Sequence, residues 1–112
     1  MNTRDLRNLT PGDLRNYLGD RYCRKLANNT WLEDNGNGGL LVRLHNTVIL
    51  TFPAHPSDIF SVNSGGYRST TTKQRLNALL PGGYGVYQKN FEWFMVTPNG
   101  EEPFQDHATY NM

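Results

Sequence analysis

The residues of this chain that are best suited to chemistry lie in one run, NSGGYRSTTTKQRLNALL, at positions 63–80. Two glycines precede a row of hydroxyl residues at a predicted helix start. Unpaired backbone N–H groups at a helix N-terminus attract anions, and glycines let a ligand approach the backbone closely. Basic side chains would add charge, and an aromatic ring could stack on a base. The candidate contacts to a nucleic acid or an anionic nucleotide are Tyr67, Arg68, Thr70, Thr71, Thr72, Lys73 and Arg75.

The same run also has an explanation that needs no ligand, and we favour it for the glycines and hydroxyls. Gly65 and Gly66 can form a turn, and Ser69 or Thr70 can cap the helix that follows. The run is not a P-loop, because that motif places Gly-Lys-Ser/Thr at the helix start, whereas Lys73 here follows threonines. A cap leaves the Tyr67-Arg68 pair unexplained.

The other reactive side chains indicate no strong site. The three histidines have no metal-ligand spacing, and with one cysteine we predict no metal and no cofactor. His45, on the polar face of a predicted strand, is a candidate base for a small hydrolase or nuclease, although such a histidine is more often a surface residue. Cys23 is expected to be a buried structural thiol in a reducing compartment. We therefore expect a binding protein rather than an enzyme.

Charge is unevenly distributed along the chain. The 112 residues carry a formal net charge of +1, yet positions 59–91 contain no acid, and Tyr84, Tyr87 and Lys89 there interleave aromatic and basic groups. Residues 93–112 contain acids but no Lys or Arg, which predicts a polar acidic tail from about 98. No apolar run resembles a signal peptide or a membrane span, so we expect a cytoplasmic protein.

Secondary-structure patterns predict how these residues are positioned. Thr10-Pro11-Gly12-Asp13 is typical of a helix start, with Gly19 able to end that helix. Strands are predicted at 29–33 and 59–62, a helix at 70–80, and a hairpin with arms at 84–88 and 91–97.

The run at 40–52 has two possible structures. It could form a hairpin that turns at 45–46 or one long strand, and the alternation of apolar and polar residues favours the long strand. The whole pattern predicts a single α+β domain over 1–112. It would contain an antiparallel sheet of about five strands, a helix packed on one face and a short N-terminal helix.

Three stretches resemble a set of small tailed-bacteriophage accessory proteins across about residues 24–97. They are RKLANNTWL at 24–32, VRLHNT at 42–47 and SGGYRSTTTKQRLN at 64–77. The last is the most specific, and Ser69 and Leu76 stand where the set is expected to have threonine and isoleucine. The resemblance implies a protein made in the cytoplasm of an infected bacterium, but it implies no activity.

Two binding functions and one catalytic function are therefore open. The first hypothesis is a protein that binds nucleic acid or an anionic nucleotide through the basic loop–helix element at 63–77. The second is an inhibitor that binds a host defence complex of the CRISPR or restriction type, for which the acidic tail offers a docking segment. The third is a small hydrolase or nuclease that uses His45.

Overall fold

The computed structural model describes residues 9–55, 59–66 and 68–112, which form two helices and nine strands. The helices are α1 (Pro11–Leu18) and α2 (Thr70–Leu79). The strands are β1 (Cys23–Ala27), β2 (Thr30–Asp34), β3 (Leu40–Leu44), β4 (Thr47–Phe52), β5 (Ile59–Val62), β6 (Gly85–Lys89), β7 (Glu92–Thr97), β8 (Gly100–Pro103) and β9 (Thr109–Asn111).

The strands form two antiparallel sheets, which confirms the α+β class but corrects the predicted number of strands. Six strands pair in the order β1-β2-β3-β4-β5-β9, and three pair in the order β6-β7-β8. About five strands is therefore too low. The additional ones are β1, the short polar strands β8 and β9, and one more from the run at 40–52, which forms two strands instead of one. All four side chains of β8 are exposed, so no apolar alternation marks it in the sequence.

The run at 40–52 is a hairpin, so the long-strand prediction is wrong. The chain turns at His45, whose φ is 53°. A bulge shifts the register of the arms, so that Val42 faces Leu50 and Leu40 faces Phe52. A regular hairpin would set Leu40 opposite Thr51, and the bulge sets it opposite Phe52 instead. The alternation imitates one strand because both arms bury the same side of the sheet.

Both helices begin where the sequence predicts. In α1 the Asp13 N–H donates to the Thr10 hydroxyl over 3.1 Å, and the Thr10 N–H donates to the Asp13 carboxylate over 2.9 Å. Helix α2 follows Ser69, which is its N-cap. Buried leucines of both helices lie in one hydrophobic cluster with the buried faces of the sheets. Neither helix of the described residues is long and apolar enough to cross a membrane.

The segment from 98 onward is folded rather than a solvated tail. It contributes β8 and β9, and between them the buried Phe104 packs edge-on against Trp93 with ring centroids 5.4 Å apart. The Phe104 N–H also donates to the Trp93 carbonyl over 2.9 Å. The buried Phe104 thus adds an apolar anchor to a segment that is also held by strand pairing and whose other residues are mostly polar.

Strand β6 lies at an edge of the three-stranded sheet, where α2 covers part of its backbone. The Asn77 side chain accepts from the Val86 N–H over 2.7 Å and donates to the Val86 carbonyl over 2.8 Å. The amide of Asn77 thereby takes the place of a neighbouring strand. This contact fixes the position of the hairpin β6–β7 relative to α2.

Asn77→Ala is therefore expected to lower the free energy of unfolding by roughly 1–3 kcal/mol, because it removes two hydrogen bonds to one edge residue. The measurement is urea unfolding. Gln74→Ala, on an exposed turn of the same helix, is the matched control and should change stability by less than about 0.5 kcal/mol. Equal stability of the two variants would show that α2 does not hold β6 through Asn77.

Candidate functional site

The glycine loop before α2 already binds an anion, and that anion belongs to the chain. The backbone N–H of Ser64 donates to Oδ1 of Asp106 over 2.8 Å, and the Ser64 hydroxyl donates to the same oxygen over 2.7 Å. Ser64 is 1% exposed, so this contact lies inside the protein. Because hydrogen bonds to a carboxylate are strong, Asp106 fixes the loop firmly.

The next two N–H groups of the loop are also bonded internally. The Gly65 N–H donates to the Asn63 side chain over 3.1 Å, and the Gly66 N–H donates to the Ser64 hydroxyl over 3.3 Å. At Gly65, with φ of 63°, a β-carbon would lie 2.7 Å from the Thr47 methyl. The glycine therefore permits the loop to pack on β4.

Electrostatics match this geometry. Partial burial raises the pKa of Asp106, but the hydrogen bonds from Ser64 and the charge of Arg68 lower it, and the net pKa lies below its usual value. Asp106 is thus held as a carboxylate by groups that the sequence suggested for an external anion.

The hydroxyl residues mainly build the helix start. The Ser69 hydroxyl accepts from the Thr72 N–H over 3.1 Å and lies 3.0 Å from the Thr72 hydroxyl, which is buried. Thr70 and Thr71 are exposed in the first turn. The capping explanation is thus confirmed for Ser69. Tyr67 lies outside the described residues.

One of the three predicted cations, Arg75, is buried, and the other two lie at or near the surface. Arg75 is 7% exposed, and its Nε donates to the Thr30 hydroxyl over 2.9 Å while Nη2 donates to the Asn28 carbonyl over 3.4 Å. It therefore connects α2 with the β1–β2 turn. Arg68 is exposed, but its Nη2 donates to the Phe104 carbonyl over 3.2 Å, and its guanidinium lies 5.4 Å from the Phe104 ring centre.

Lys73 lies beside the hairpin β6–β7, which contributes Lys89 and also Phe91, a residue that the sequence analysis did not select. Asn77 contacts Val86, and the Lys73 ammonium lies 3.4 Å from the Gln88 side-chain oxygen, so α2 and β6 run in opposite directions. The tip of the hairpin consequently lies towards the first turn of α2. We name Arg68, Lys73, Lys89 and Phe91 the basic tip surface.

Phe91 is the most exposed feature of that surface. Its side chain is 96% exposed, and its φ of 67°, like the 53° of Asn90, is unusual for a residue other than glycine. The sequence analysis placed Phe91 in the second strand. Asn-Phe between two strand arms is in fact a two-residue turn, and the asparagine was the available signal.

The cations of the basic tip surface are not neutralised by ion pairs. Two ion pairs occur in the described part of the chain, Arg15 with Asp34 and Arg43 with Glu33, and neither includes a residue of this surface. Glu92 faces Lys89 in the strand register, and Asp106 is turned to Ser64. Positive charge therefore exceeds negative charge here.

Two tyrosines expected to alternate with basic residues are used internally instead. The Tyr84 hydroxyl donates to the Asn111 carbonyl over 2.7 Å, and its ring packs edge-on against Phe60. The Tyr87 hydroxyl donates to Glu101, which raises the pKa of Tyr87, and its ring stacks on Phe94. Neither ring is free to form a binding platform.

His45 was predicted on a strand face, but the structure places it in the β3–β4 turn. There it lines a pocket of about 480 Å³. The lining residues, all within the described ranges, include no acid and no second histidine, so no acid–base pair forms there. Cys23 is exposed at the start of β1, which corrects the buried thiol expected. No three His, Cys, Asp or Glu side chains among the described residues are grouped as metal ligands.

Comparison with known proteins gives one match. The model of a phage protein family, described as Kyanoviridae Gp96 protein, matches residues 16–111. The expected relationship to phage proteins is thereby confirmed. Comparisons with the curated proteins and with the solved structures gave no match.

Asp106→Asn is expected to lower stability at pH 7 by roughly 1–2 kcal/mol, because the neutral amide makes weaker hydrogen bonds to Ser64. The pKa of Asp106 in the folded protein lies below its unfolded value of about 3.9. The charge therefore stabilises the fold above that value, and this contribution is lost as the pH falls through the lower, folded-state pKa.

The check is urea unfolding of both proteins at pH 7 and at about pH 2, where the difference should shrink. Glu92→Gln, at an exposed carboxylate that makes no hydrogen bond or ion pair within the described residues, is the control and should unfold as the parent does. A difference between parent and Asp106→Asn that is the same at both pH values would contradict this account.

Proposed function

Because the chain belongs to the Kyanoviridae Gp96 protein family, we propose that this phage protein binds nucleic acid in the cytoplasm of the infected bacterium, through the basic tip surface. The observation that carries the proposal is an aromatic ring that is 96% exposed, presented by a hairpin tip beside three cations without ion-pair partners among the described residues. Proteins that bind nucleic acid commonly combine exposed aromatic rings with nearby cations on one surface.

A nucleic acid fits this surface better than a free nucleotide does. A site for a single nucleotide would need the donors of the glycine loop, and those of Ser64, Gly65 and Gly66 are bonded to groups of the protein itself. The remaining cations are spread over the loop, the helix and the hairpin. A charged polymer can contact all three at once.

The residues of the basic tip surface would have different roles. Lys73 and Lys89 are flexible point charges suited to phosphate oxygens. Arg68 is anchored on the Phe104 carbonyl through Nη2, so its guanidinium has a fixed orientation with further N–H groups to donate. Phe91 can stack on a base or insert beside one, because hardly any of its ring is covered by the protein.

Removing both lysines, as Lys73→Ala with Lys89→Ala, should weaken binding to a labelled oligonucleotide and flatten its dependence on salt. Each phosphate contact contributes about 0.7 to the slope of log K against log salt for a single strand, so the slope should fall by roughly 1.4. Fluorescence anisotropy between low and moderate salt measures both effects. The pair Lys73→Arg with Lys89→Arg keeps the charge and should bind like the parent. An unchanged slope in the alanine variant would place the phosphate contacts elsewhere.

Phe91→Ala should weaken binding of the same oligonucleotide by about 5-fold to 150-fold at constant salt, since base–aromatic stacking contributes about 1–3 kcal/mol. The salt slope should stay unchanged because no charge is lost. Phe91→Tyr keeps the ring and is the matched control. If Phe91→Ala bound as tightly as the parent, the ring would have no part in recognition.

Capture from host lysate distinguishes the proposal from inhibition of a host defence complex. Under our proposal, nuclease treatment releases what the protein retains. Retention of a host protein that survives nuclease, and that is lost in the Phe91→Ala variant, would instead show the hairpin tip to be a protein-binding element.

A further inference from the structure

The six-stranded sheet has one face on which the described chain places no covering element. Its other face contributes the leucine, valine and phenylalanine side chains of the hydrophobic cluster. On the open face, described side chains are exposed or only partly buried: Cys23, Lys25, Trp31, Glu33, Leu41, Arg43, Val48, Thr51, Ser61 and Thr109. This face contains none of the residues of the basic tip surface.

Trp31 lies on the open face between two cations. The strand register places Lys25 of β1 and Arg43 of β3 directly opposite Trp31 of β2, on its two sides. The Trp31 side chain is 40% exposed, whereas the other tryptophan, Trp93, is 2% exposed. Directly opposite residues on neighbouring strands lie within side-chain reach of one another, so the three groups form one row.

Charge along this row is positive on balance. Arg43 donates from Nε to Oε2 of Glu33 over 2.7 Å and from Nη2 to Oε1 over 3.1 Å, so that one acid is fully engaged. Lys25 has no ion pair within the described residues. Because Glu33 faces the guanidinium, it also holds Arg43 in a fixed position next to Trp31.

A groove of polar groups continues from the row across the sheet. Beyond Arg43 lies a depression of about 440 Å³ whose lining includes Thr51, Ser61, Asn63 and His107. These side chains offer hydroxyl, amide and imidazole groups to sugar and phosphate oxygens. The row and the groove together run across several strands of the sheet.

We propose that the open face binds single-stranded nucleic acid, with one base stacked on Trp31, phosphates beside Lys25 and Arg43, and the strand continuing along the groove. A base paired within a duplex does not expose its face to a side chain on a flat sheet, and an unpaired base does. This inference rests on the proposed function, because it assumes the same class of ligand, a nucleic acid. It differs in placing that ligand on the open face instead of the basic tip surface and in requiring an unpaired strand.

Tryptophan fluorescence of the parent protein tests this inference, since Trp31 is exposed and the other tryptophan, Trp93, is buried. Titration with an oligothymidylate of about 15 nucleotides, the length that one small domain can cover, should quench the emission. The same length of duplex should quench much less. Trp31→Phe should lose the quenching and keep most of the affinity, and Trp31→Ala should weaken binding by about 5-fold to 150-fold.

A second series separates this inference from the proposed function. Lys25→Ala should lower the salt slope by about 0.7, and Lys25→Arg should restore it. Quenching by the single strand should persist when Lys73 and Lys89 are both alanine, even if the basic tip surface proves inactive. If the oligonucleotide binds but leaves Trp31 emission and the affinity of Trp31→Ala unchanged, the inference is overturned while the proposed function stands. The inference is also overturned if raising the protein concentration without any oligonucleotide quenches the Trp31 emission. The open face would then be a contact between two copies of this protein.

Discussion

The contact between Asp106 and Ser64 is the constraint that organises the part of this molecule around the start of α2. It joins two segments 42 positions apart and holds the loop that leads into α2. Beside it, the Val62 carbonyl accepts from the His107 N–H over 2.7 Å, and β9 extends the sheet at β5. Since the same segment carries Phe104, its docking also supplies the surface on which Arg68 rests.

The cations of the acid-free segment fall into two groups. Arg75 and Arg68 hold elements together: Arg75 donates from Nε to the Thr30 hydroxyl, and Arg68 donates from Nη2 to the Phe104 carbonyl. Lys73 and Lys89 contribute little to packing and keep their charge at the surface. A buried arginine must be hydrogen-bonded to be tolerated, and Arg75 donates to Thr30 and Asn28.

Sequence predicted the elements whose signals are local. Thr10 and Ser69 cap their helices through side chains that reach three residues along the chain. The failures are non-local. The bulge opposite Val42 depends on which residues face each other across two strands, and the burial of Arg75 depends on Thr30. Asp106 looked solvated because its partner loop lies far away in sequence.

Two of the three exposed aromatic rings among the described residues, Phe91 and Trp31, have no explanation in stability. Phe91 adopts a positive φ, which for a residue of its kind is unfavourable by about 1 kcal/mol or more, and almost none of its ring is buried in return. Glycine at that turn position would relieve the strain without loss of packing. Trp31 likewise exposes a large ring between two cations, where threonine or valine would suit an open strand. Folding favours neither ring and cations flank both, which is why each ring is part of a proposed binding surface.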